Sequence, residues 1–196
     1  MFEDYSERLF SHFLAGRWRV PFATRALPLC HPDGRALGQI VPAEARDIAR
    51  AASALRAADA RSCARAADMI GQSAASLCAA HAHQTGMQID PEQIGVLARA
   101  MVAPCGPGQR VILGAPITSA HGTRPGETFG AALGAGLRGG VIWCPPPDWA
   151  IFATHLAEVL QRADLPPGAF ALLHAQTPGT EAAIREVLGR RLRMSQ

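Results

Sequence analysis

The sequence predicts an α/β fold, a parallel sheet flanked by helices with a β-hairpin region at its N-terminal end. Three observations carry this expectation, all within residues 127–174. Gly139–Pro147 (GGVIWCPPP) is a short apolar run closed by prolines, as expected of a buried parallel strand. Trp149, Phe152, Leu156, Val159 and Leu160 then recur at helical spacing, with Asp148 placed to cap the helix. Leu165-Pro166-Pro167-Gly168 stops that helix, and Ala169–His174 returns as a second strand. With a preceding helix predicted from Glu127, the order is helix, strand, loop, helix, strand. Such alternation is what parallel crossovers require.

The bulk numbers agree. The 196 residues suit one domain over 1–196, and 48% hydrophobic with 18% charged residues is a globular composition. A net charge of +3 is too small to point to nucleic acid. All 19 basic residues are Arg, which removes Lys from every catalytic role. Five cysteines (Cys30, Cys63, Cys78, Cys105, Cys144) form no CxxC pair and suit a reducing compartment. MFEDYSERLF has no long apolar core of a signal peptide, and no segment has 18 uninterrupted apolar residues. The expectation is a cytoplasmic protein that does not enter a membrane.

The run of strand, x-Pro, amphipathic helix, Ala163-Asp164-Leu165-Pro166-Pro167-Gly168 and apolar strand resembles the aldehyde dehydrogenase superfamily. There the helix ends Ala-Gly-Leu-Pro-Pro-Gly, and the fold is a Rossmann-like sheet. The resemblance extends along the chain. Residues 9–22 are similar to the family's Phe-Ile-(Asn/Asp)-Gly-Glu-Trp strand pair through Phe13, Gly16 and Trp18, with Ala15 in place of a polar turn residue. Gly16 suits a tight turn and Trp18 the covering of one sheet end. Leu27–Ile40 reads as strand, Pro32-Asp33-Gly34 turn, strand. Glu44–Ala58 is predicted helical with Ile48, Ala51, Ala52 and Leu55 inward, and Arg61–Gln84 with Ala64, Ala67, Met69, Ile70 and Leu77 inward. Thr85-Gly86 ends that helix, and Asp90-Pro91-Glu92-Gln93 starts the next. Residues 104–109 stand where the family places a hairpin arm used in oligomerisation, and six turn-forming residues are too few to build one.

For the site, the resemblance implies a correspondence of residues. The oxyanion-binding Asn of the family's Pro-Trp-Asn-Phe-Pro falls at His121 within Ser119–Thr123; a neutral imidazole can still donate one hydrogen bond. The Lys-Pro-Ser/Ala-Glu loop that holds the adenosine ribose falls at Cys144-Pro145-Pro146-Pro147, which keeps neither hydrogen-bonding side chain. His121 and Cys144 are the candidate catalytic pair; Ile117, Thr118, Ser119, His121, Cys144 and Pro145 are the candidate cofactor contacts. Cys144 has no basic neighbour in sequence and reads as an inert thiol. His81 and His83 diverge by about 200° on a helix and cannot share a metal, and no other histidine spacing suits one. Gly134 and Gly136 match no phosphate-loop pattern and read as sites of close helix packing.

A last helix is predicted from Thr177 through Leu188. The segments that in the family carry the pyrophosphate helix, the general base and the nucleophilic Cys are not found in residues 1–196. The expectation is therefore a non-catalytic relative, with no cofactor required, that docks on a full-length aldehyde dehydrogenase or on itself. The alternatives are a residual module for NAD or NADP, or an aldehyde oxidoreductase fragment completed by another chain. Leu113, Ile117, Ala120, Trp143, Trp149 and Phe170 are expected to form the apolar face that a partner covers.

Overall fold

The computed structural model describes residues 8–103, 111–113, 125–174 and 186. Strand β1 (Leu9–Phe10) and β2 (His12–Leu14) are one extended run divided at Ser11, so that a single segment serves two sheets. β1 pairs in parallel with β5 (Ala36–Ile40), which pairs antiparallel with β4 (Leu27–Cys30) across the Pro32-Asp33-Gly34 turn. Pro28 lies on β4, the outer strand, where a missing N–H costs no ladder bond. β2 joins the larger sheet, whose order is β3 (Arg17–Arg19), β2, β8 (Phe170–Leu172), β7 (Val141–Trp143), β6 (Val111–Leu113). β6, β7 and β8 run parallel, while β2 meets both β8 and β3 antiparallel. The α/β class and the N-terminal hairpin are as the sequence predicts.

Alternation along these strands sorts their side chains to two covered faces. Phe13, Val141, Trp143, Phe170 and Leu172 enter one core, with helices α2 (Ala60–Gln72), α3 (Ala74–Thr85), α4 (Pro91–Met101), α5 (Pro125–Leu137) and α6 (Ala150–Arg162). Leu14, Ile142, Cys144, Ala171 and Leu173 enter the other, under helix α1 (Ala45–Ala54) through Ile48, Ala51, Ala52 and Leu55. The crossover helices α5 and α6 lie on the same face. That is what one hand of crossover demands when strand order advances in one direction.

Several expectations are corrected. The helix from Arg61 to Gln84 is divided at Ser73 (φ −92°, ψ 7°), just after Gly71, a pairing that commonly bends helices. Ala64 is exposed, because the inward stripe of α2 is Cys63, Ala66, Ala67 and Ile70. Helix α1 stops at Ala54, with Leu55 already extended but still buried. Asp148 caps no helix; a 3-10 turn over Pro147–Trp149 comes first, and Trp149 stands at the N-cap of α6. Leu113, Trp143, Trp149 and Phe170 do not form an open apolar face, since the chain's own helices bury all four. Ile117, Ala120, residues 104–109 and the predicted last helix lie outside the described residues, save Glu186, which is helical.

Candidate functional site

In open α/β sheets, ligands meet the carboxyl ends of the strands. Here the ends of β7 and β8 are described, and the loop after β6, with Ile117, Thr118, Ser119 and His121, is outside the described residues. The pairing of His121 with Cys144 is therefore an expectation with only one partner placed.

Cys144 continues β7 by one residue. Its N–H donates to the Leu113 carbonyl at 2.7 Å, and Leu173 N–H donates to the Trp143 carbonyl at 3.0 Å. Alternation turns its side chain to the α1 face, beside Ile142, Ala171 and Leu173. With 5% of its surface accessible, Cys144 is a buried core residue and not a thiol presented to a cleft. Pro145 is buried as well.

The loop that follows is fixed from α3. Gln84 is buried, and its Nε2 donates to the Pro147 carbonyl at 2.6 Å while its Oε1 accepts from Ile151 N–H at 2.8 Å. One amide thus holds both the 3-10 turn and the first turn of α6, supplying the cap that Asp148 does not. His81, one helical turn earlier, packs at a tilt against Trp149 with ring centroids 4.5 Å apart and places Nδ1 3.0 Å from the Met87 carbonyl. The role of Gln84 was not legible in the sequence; only its position before Thr85-Gly86 was. Asp148, released from capping, is an exposed carboxylate in the turn that follows the triple proline.

The end of β8 is closed by the chain itself. Ala43 N–H donates to the His174 carbonyl at 2.8 Å, and His174 N–H reaches His12 Nδ1 at 3.3 Å. His12, His174 and Asp47 are all buried, with His12 Nε2 3.9 Å from Asp47 Oδ2. Burial holds His12 down to about 4, with Arg50 adding to it. Burial, and then His12 beside it, hold His174 down to about 3. Both imidazoles are neutral at pH 7, and each Nε2 lacks a hydrogen-bond partner among the described residues. Among the described residues no group of three or more His, Cys, Asp or Glu could hold a metal ion. None of their helices is long and apolar enough to cross a membrane.

At the carboxyl ends of β7 and β8 the molecule offers hydrocarbon, prolines and committed carbonyls, with Asp148 as the exposed ionisable group of the β7 loop. Three parallel strands, β6, β7 and β8, joined by helices on one face, define an open α/β protein of the crossover type. The comparisons give the fold its particular relatives. The chain is similar in structure to HpcC from Thermus thermophilus (TM-score 0.72, 23% identity), covering 92% of this chain and 42% of that one. It is similar to an NAD-dependent aldehyde dehydrogenase from Sinorhizobium meliloti (TM-score 0.69, 15% identity; 95% and 49% covered). It is also similar to aldehyde dehydrogenase C from Pseudomonas syringae, solved with NAD+ and octanal (TM-score 0.66, 16% identity; 91% and 43% covered). The chain has the aldehyde dehydrogenase fold over nearly all its length, and it spans less than half the length of these proteins. No family model matches the sequence, and neither does any curated protein.

Proposed function

We propose that this is a non-catalytic aldehyde-dehydrogenase-like protein, an accessory or scaffold subunit that docks on a full-length aldehyde dehydrogenase. The observation that carries the reading is the end of β7. Where the family resemblance calls for Lys and Glu side chains to hold a ribose, Cys144 is buried under α1 and Pro145–Pro147 offer no side-chain donor or acceptor. Function has to be argued from the site and not from the fold, and the described positions Cys144–Pro147 supply no side chain of the kind that holds a ribose. Each unmade hydrogen bond to a ribose costs on the order of 1–3 kcal/mol, so two bring a micromolar site to the millimolar range. Isothermal calorimetry with NAD and NADP tests this. We expect no binding tighter than about 1 mM; a dissociation constant below about 10 μM would show a working site and overturn the reading.

Asp148 supports a second reading, a residual nucleotide-binding module or a fragment completed by another chain. It is an exposed carboxylate one residue past the position of the family's Glu, and carboxylates bind ribose hydroxyls well. On that reading, NAD binds measurably and Asp148→Ala weakens it about tenfold, the loss of one charged hydrogen bond.

A further inference from the structure

The outer edge of the five-stranded sheet collects arginines. β3 is the terminal strand, and its register sets Arg17 opposite Leu14 and Arg19 opposite His12. Leu14 packs under α1, so alternation puts Arg17 and Arg19 on the α1 face while Trp18 turns to Phe13 on the other, ring centroids 5.1 Å apart. Helix α1 adds Arg46 and Arg50, whose guanidinium carbons stand 4.2 and 5.3 Å from the centroid of Phe22. Val20 and Phe22 beside them are 74% and 40% exposed. The arginine ion pairs among the described residues are Arg8–Glu158, Arg65–Asp164 and Arg99–Glu92, and none involves these four side chains. Among the described residues, the carboxylates near these arginines offset little. Asp47 is fully buried and already accepts from Phe22 N–H and Glu44 N–H, which leaves Glu44 as the exposed one at the helix start.

Among the described residues no strand pairs with the outer side of β3. A two-residue turn makes Leu14–Arg17 and His12–Arg19 the hydrogen-bonded pairs, and Phe13–Trp18 the non-bonded pair. The N–H and C=O of Trp18 therefore aim away from β2, as those of Phe13 aim toward Leu172 of β8. We propose that this edge docks an acidic extended segment of a partner protein. The segment adds as a strand to β3 through the outward groups of Trp18 and Val20. Its carboxylates meet Arg17, Arg19, Arg46 and Arg50, whose guanidinium groups suit carboxylates. A polypeptide fits better than a nucleic acid, because an edge that offers alternating donors and acceptors is matched by another backbone. The inference rests on the reading of this chain as a docking protein and adds the surface and its partner's chemistry.

The test is fluorescence anisotropy with a labelled short peptide alternating Glu and Val, beside its Lys/Val counterpart and a single-stranded oligonucleotide of equal negative charge. We expect the Glu/Val peptide to bind, more weakly as salt rises. Arg17→Glu with Arg46→Glu should weaken it at least about tenfold, Val20→Pro (which removes an outward N–H) several-fold, and Arg61→Glu with Arg162→Glu not at all. No binding of that peptide, equal binding by the Arg17/Arg46 variant, or tighter binding of the oligonucleotide overturns the proposal. Co-sedimentation with a full-length aldehyde dehydrogenase separates the two claims. Association that survives Arg17→Glu with Arg46→Glu sinks this surface and leaves the docking reading standing. Peptide binding without such association does the reverse.

Discussion

Buried between β2, α1 and the end of β8, His12 and His174 are two bases kept uncharged by their surroundings. Their folded-state values of about 4 and about 3 lie below the 6.5 of a free imidazole. Below pH 6.5 the unfolded chain therefore binds more protons than the folded one, and stability falls with pH. The contribution is complete above about pH 7 and is lost progressively as pH drops, through about 4 for His12 and about 3 for His174. At pH 5 the two together weaken the fold by about 4 kcal/mol relative to pH 8. Urea unfolding at the two pH values checks this, and His12→Gln with His174→Gln should flatten the difference. Nothing in the sequence foretold the pair, because a strand register across 162 positions brings it together. Ala15 was legible as an oddity. It sits at φ 52° beside Gly16 at φ 73°, in a two-residue turn that favours Asn-Gly. Ala15→Asn should raise stability by about 1 kcal/mol, the cost of holding a Cβ in the left-handed region, read from the same unfolding curves.

Among elements, α4 and α5 pack at close range. Gly126, Gly130 and Gly134 recur every fourth residue, and a Cβ on each would meet the backbone carbonyl of Gln93, Leu97 or Met101. The sequence indicated close packing at Gly134 and placed Gly136 with it; the stripe runs the other way, through Gly130 and Gly126. In a free helix Gly→Ala gains about 1 kcal/mol, whereas overpacking a core costs about 1–3 kcal/mol or more. Gly130→Ala should therefore lower the melting temperature by several degrees. Helix existence was legible from apolar spacing throughout, as α4 shows, where the Asp90 side chain accepts from Glu92 N–H as its capping motif predicts. Helix starts governed by distant side chains were not. The beginning of α6 depends on Gln84, 67 positions away from Ile151, and no local rule favours Gln84 over Asp148.

At the scale of the molecule, the α/β class and the order of segments were legible because period and turn chemistry agree from Phe13 to Leu173. The topology confirms them, with β2 and β3 completing a sheet begun by β6, β7 and β8. The expected apolar face was misread for a physical reason. Trp143 and Phe170 belong to a sheet face that α2, α5 and α6 already cover, so hydrophobicity on those strands reports a core and not a partner. Among the described residues, the large apolar side chains that remain exposed are scattered, apart from Val20 and Phe22 among arginines. On the proposed non-catalytic reading, this fold is not used for aldehyde chemistry. Its most direct test is the appearance of NADH or NADPH when the purified chain is mixed with either cofactor and a panel of aliphatic and aromatic aldehydes. The account predicts no turnover above the protein-free rate. Steady turnover that disappears on Cys144→Ser would contradict it.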